Sequence, residues 1–119
     1  MKYMLFIYQG EAPTPSDPEE WAQLSEAEQQ QIGRDYRAVS ETPGVTPGLW
    51  MQPPEAATTV RVADGATLVT DGPFLAVKEA VGGYLTYEAD DLDSALELAA
   101  RIPAARLGGA VEVRPIVGS

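Results

Sequence analysis

With 119 residues, 45% of them hydrophobic and 22% charged, the chain has the size and balance of one globular domain with a single core. Eighteen acidic against eight basic residues give a net charge of −10, which repels phosphate backbones, so direct nucleic-acid binding is not expected. Cysteine and histidine are both absent, which excludes disulfides, cysteine nucleophiles and the usual zinc and non-haem iron ligand sets.

A carboxylate-only site for magnesium or calcium is left open by composition, but no Asp/Glu cluster has the spacing of a calcium loop; no metal and no cofactor is expected. No apolar run reaches membrane-spanning length, and the first residues lack the regions of a signal peptide. The expectation is a cytoplasmic protein in which residues 1–119 form a single domain.

In chain order, Tyr3 to Tyr8 is short, apolar and aromatic-rich, which predicts a strand. Both alternating faces are apolar, Tyr3, Leu5 and Ile7 on one and Met4, Phe6 and Tyr8 on the other, as in a strand covered on both sides. Two helices can cover one face of a small sheet; something else must cover the other, and a second copy is expected to do so. A proline-punctuated loop follows, then two capping-box patterns, Ser16–x–x–Glu19 with Pro18 in the first turn and Ser25–x–x–Glu28. These predict a helical turn near Pro18–Gln23 and a longer helix from Glu26 to about Glu41, with Ile32, Tyr36 and Val39 on its apolar stripe. Gly33 beside that stripe reads as a close-packing position, and Glu26, Glu28, Gln29, Gln30 and Arg34 as a solvated face. Between Thr42 and Pro54 three proline-based turn signals enclose Leu49–Trp50–Met51, an irregular strand segment in which Trp50 is an anchor of the core or an interface, or a pocket wall.

Ala57 to Thr70 predicts a hairpin that turns at Asp64–Gly65, with Thr58, Val60 and Val62 facing one way and Thr59 and Arg61 the other. It feeds the stretch Thr70–Glu79, in which turn chemistry, an aromatic and three charged groups meet. Asp71 can accept a backbone N–H near the turn, Gly72 opens conformations closed to other residues, and Pro73 fixes φ and removes a donor. Phe74 is thereby aimed at one defined place, and Lys78 and Glu79 would point to opposite faces of a strand. Either Asp71 ties a turn, Phe74 fills a core and Lys78 and Glu79 are solvated, or Asp71, Lys78 and Glu79 are polar groups of a pocket walled by Phe74. Arg61 is the best-placed partner for Asp71 or for an anionic ligand. Val81 to Glu88 is the next strand, whose Gly82–Gly83 marks a bulge or a close approach. Asp90–Asp91 caps a second helix with apolar positions Leu92, Ala95, Leu96, Ala99 and Ile102. Pro103 ends it, and Ala110 to Val117 closes the chain as an edge strand.

Asp71–Gly72–Pro73–Phe74, Lys78–Glu79 and Gly82–Gly83–Tyr84 are similar to the signature of the DGPF-domain proteins within the YCII-related family. The likeness extends to Met1–Tyr8, Thr58–Arg61, Asp91–Leu96 and Val111–Pro115, nearly the whole chain. The order of elements suggests α+β; the resemblance implies a ferredoxin-like βαββαβ fold with the hairpin inserted, paired into a dimeric α/β barrel. It also implies a pocket, and a regulatory association with an extracytoplasmic-function sigma factor as protein partner. Some relatives use a His–Asp pair, which a chain without histidine cannot supply.

The residues place the pocket where the central turn meets the end of the sheet, walled by Phe74 with Tyr8, Trp50 or Tyr84. Its polar groups would be Asp71, Lys78 and Arg61, which would suit a small anionic ligand. Two functions fit: a homodimeric binding or regulatory module, or an enzyme using Asp71 as base, Lys78 as cation and Tyr8 or Tyr84 as phenol donor.

Overall fold

The computed structural model describes residues 1–15, 17–72 and 81–118. Strand β1 (Lys2–Tyr8) is built from the aromatic and branched residues that suit a pleated surface, and both of its edges are paired. It runs antiparallel to β5 (Val81–Glu88) on one side and to β6 (Ala110–Pro115) on the other. Strand β2 (Val45–Trp50) pairs antiparallel with β5, giving the order β2–β5–β1–β6. The connections carry helices α1 (Pro18–Ala22), α2 (Glu26–Ser40) and α3 (Leu92–Ala100). This is an α+β fold with the strand order of a ferredoxin-like sheet, in which each helical crossover skips one antiparallel neighbour. Proline is tolerated at Pro47 and Pro115 because β2 and β6 are the two edges.

Tyr3, Leu5 and Ile7 on one face of β1 are buried with Leu85, Val39, Ala95, Leu98, Ala99 and Ile102 in a single cluster. In α3 the buried stripe is Ala95, Leu98 and Ala99, and Ile102, just past the end of the helix, is buried beside it. Leu92 and Leu96, expected on that stripe, are about half exposed, and Leu98 takes their place. Leu96 stands one residue, or about 100° of helix, past Ala95 and so turns away from the sheet.

Helix α2 starts with the full capping box: the Glu28 amide donates to Ser25 Oγ at 3.1 Å and the Ser25 amide to Glu28 Oε1 at 3.2 Å. Helix α1 instead begins at Asp17, whose carboxylate accepts from the Glu20 amide, and not at Ser16, which lies outside the described residues. Gln29 is not part of a solvated face. Its amide donates to the carbonyls of Trp21 (2.8 Å) in α1 and of Leu24 just beyond it, and so holds the short helix against the long one.

The hairpin is β3 (Thr58–Ala63) and β4 (Ala66–Asp71), a two-stranded sheet of its own. Asp64 and Gly65 both have positive φ, 50° and 77°, the conformation that a two-residue turn matching the strand twist requires. Among the described residues no other element packs extensively on it. Opposed residues share a face, so Val60 and Val69 stand side by side with Val62 beyond them, each 60–71% exposed. The molecule is accordingly flat, 50 × 42 × 18 Å, with a radius of gyration of 16.1 Å. A compact domain of this length would have about 13.5 Å.

Met4, Phe6 and Tyr8, on the other face of β1, are only half-buried. Register sets Tyr84 opposite Phe6 on that face, with Thr86 opposite Met4. On the β6 side Arg114 stands over the Phe6 ring, 5.6 Å from its centroid, and pairs with Glu112 at 2.7 Å. The open face thus has an apolar centre and a charged border.

Candidate functional site: an aromatic cavity at the end of the sheet

On the helical side of the sheet, where β1 and β2 end and β5 begins, a cavity of about 820 Å³ opens. Its described walls are Gln9, Gly10, residues 12–15 and Asp17 of the first loop, Glu20 and Trp21 of α1, Ile32, Gly33 and Tyr36 of α2, the segment 50–55, and Val81 and Gly82. The volume is in the range of small-molecule sites.

Three local features shape it. Register shifts where β1 meets β5 between Ile7 and Tyr8, and where β2 meets β5 between Pro47 and Trp50. These irregularities set the Trp50 side chain over Gly83, where an added Cβ would lie 2.6 Å from the indole. The glycine pair therefore acts as both a bulge and a close approach. Trp50 then meets Tyr36 edge to face, centroids 5.0 Å apart and rings at 87°, so that the two make a corner. Across from them, Trp21 is held in place by the Gln29 bonds to the end of α1.

Burial pushes the Tyr36 phenol above its ordinary value, while hydrogen bonds to the Gln9 side chain and the Ala104 backbone and the charge of Arg106 act the other way. Tyr36 is therefore a neutral hydroxyl at physiological pH. The charged residues of the described lining are Asp17, Glu20 and Glu55, all exposed, and no Lys or Arg is among them. Among the described residues no polar or charged side chain is buried. Asp17, Glu20 and Glu55 therefore all stand in contact with water.

Of the expected site residues, Trp50 lines the cavity. Tyr8 and Tyr84 are on the open face of the sheet, the side opposite Trp50. Asp71 is exposed at the end of β4, where it pairs with Thr58, whereas Arg61 pairs with Leu68. Three residues apart on β3, Thr58 and Arg61 point to opposite faces of the hairpin, so register does not set Arg61 beside Asp71. Phe74 and Lys78 lie outside the described residues. Trp21, Tyr36 and Gln9 belong to the cavity and were not expected there. A tryptophan in the otherwise polar turn Pro18–Ala22 was the available signal, since a short polar helix has no other reason to carry one.

A model of the YCII-related domain matches residues 1–118. The chain belongs to the YCII-related family. The likeness read from the signature residues is thus confirmed over almost the entire sequence. A protein of Rhizobium meliloti (strain 1021), described as uncharacterized, is similar to this YCII-related domain at 33% identity over 121 residues. The match takes in 98% of this chain and 92% of the relative. Among the described residues, no helix of the YCII-related domain is long and apolar enough to cross a membrane.

Gly33 of the YCII-related domain is exposed, and an added Cβ would meet nothing within 4 Å. It is not a close-packing position; it leaves the cavity wall open. Gly33→Ala should therefore stabilise the fold by about 1 kcal/mol through helix propensity alone. Urea denaturation checks this, and a loss of stability would show that the helix cannot accept a side chain there.

Proposed function

We propose that this YCII-related protein is a homodimeric module that binds a small molecule in the cavity between α1, α2 and the end of the sheet. The observation that carries the reading is the cavity wall itself. Trp21, Tyr36 and Trp50 border a space large enough for a metabolite-sized ligand, with no buried acid or base among the described residues. Such a wall suits recognition better than proton transfer. The anionic ligand expected from Arg61 and Lys78 finds no support in the described lining, whose charges are carboxylates.

The dimer would form through the open face of the sheet. Its apolar centre of Met4, Phe6, Tyr8 and Tyr84 and its charged border have the anatomy of a protein interface. A second sheet packed about 10 Å away would cover it. The hairpin, with its row of exposed valines, would reach past the protomer onto the partner, which accounts for the large radius of gyration. A regulatory output of the kind the resemblance implies, onto a sigma-factor-related protein, would then pass through protein contacts of the loaded dimer.

A thermal-shift screen of metabolites read together with tryptophan emission tests the binding function. The chain has two tryptophans, Trp21 and Trp50, and both line the cavity. A ligand that raises the melting temperature should also change the emission. A stabilising ligand that leaves the emission unchanged would move the site elsewhere.

A further inference from the structure

The cavity carries information about the charge of its ligand as well as its size. Its described walls present aromatic rings from three separate elements, Trp21 of α1, Tyr36 of α2 and Trp50 of β2. Tyr36 and Trp50 stand at right angles, edge to face, so their ring planes form a corner instead of a flat stack. Asp17, Glu20 and Glu55 add negative charge at the border, and no cationic residue of the described lining opposes them. The protein as a whole carries a net charge of −10, which deepens the potential in a concave site.

Ring faces attract cations because the quadrupole of an aromatic ring is negative above and below its plane. Nearby carboxylates add Coulomb attraction without requiring a short contact. Among the described residues no three acidic side chains come close enough together to hold a metal ion. The cation that fits must then be large, weakly hydrated and able to touch ring faces. We propose that the cavity selects an organic cation, a substituted ammonium of the quaternary or tertiary amine class. This rests on the cavity's being the ligand site and names the chemistry of its occupant.

Three small molecules of nearly equal shape separate the possibilities: choline, its uncharged carbon analogue 3,3-dimethylbutan-1-ol, and the anion 3,3-dimethylbutanoate. Each is titrated into the purified, full-length protein while the emission of Trp21 and Trp50 is followed. Choline should bind about tenfold more tightly than the alcohol, the advantage expected when ring faces meet a desolvated cation. The butanoate should bind most weakly of the three. The double variant Glu20→Gln, Glu55→Gln should weaken choline severalfold and leave the alcohol unchanged. The alcohol or the butanoate binding as tightly as choline would overturn the cation assignment and leave the cavity as a binding site. No change of emission with any of the three, in a protein whose thermal-shift ligands also leave the emission unchanged, would remove the site reading as well. Unchanged choline binding in the Gln variant would show that the carboxylates play no part, and would likewise overturn the assignment.

Discussion

Phe6→Asp should convert the protein from a dimer to a folded monomer. Phe6 lies at the middle of the central strand, on the face that the helices do not cover, flanked by Met4, Tyr8 and Tyr84. In a face-to-face dimer the substitution would bury two unpaired carboxylates, one from each protomer. Each costs several kcal/mol unless it finds a partner, which exceeds the surplus that holds an interface of ordinary size together. In the separated protomer the cost is small, because the position is then partly open to water. Light scattering should therefore report the 12.7 kDa protomer for the variant and twice that mass for the parent. A parent protein that is monomeric at micromolar concentration would refute the dimer, and an unchanged mass in the variant would place the interface on another face.

Leu98→Ala should cost about 2–5 kcal/mol of stability, the range for removing a leucine side chain from a closed core. Leu98 is fully buried and belongs to the one cluster that joins α3 to β1 and β5. Leu96→Ala, two residues earlier on the same helix, should change stability by no more than about 0.5 kcal/mol because that side chain is half exposed. Denaturant midpoints of the two variants at unchanged slope make the comparison clean, since helix propensity changes by the same amount in both. Equal losses would mean that Leu96 is covered in solution, most simply by a partner.

Elements whose chemistry is local were legible in the sequence. The Ser25 capping box, the Asp64–Gly65 turn and the two-faced apolar strand each state their geometry in a few neighbouring residues, and each is found where expected. The bulge at Gly82–Gly83 was legible for the same reason. The cavity was not. Its walls come from five separated segments, and what joins them is tertiary: the register shift that turns Trp50 onto the helical face, and the Gln29 bonds that hold Trp21. Side-chain amides on a helix surface read as solvated until a second helix end is known to lie beside them. Counting faces along the hairpin could have separated Arg61 from Asp71, but only once the pairing of Thr58 with Asp71 was fixed. The signature stretch with Phe74 and Lys78 precedes Val81, a cavity residue, and its residues 73–80 lie outside the described ones.

Two rings lie over glycines of the neighbouring strand, and the two arrangements differ in how freely sequence can drift around them. The three atoms nearest a side chain at Gly83 all belong to the Trp50 indole, so a smaller residue at position 50 would relieve that contact. A side chain at Gly48 would strike the Tyr84 ring and also the Tyr84 carbonyl oxygen, and no exchange of side chains can move a carbonyl. A paired change at positions 50 and 83 would therefore recut the cavity wall of this chain. Position 48 has no such partner to bargain with. In this chain the first contact is open to a paired change of side chains, and the second is not.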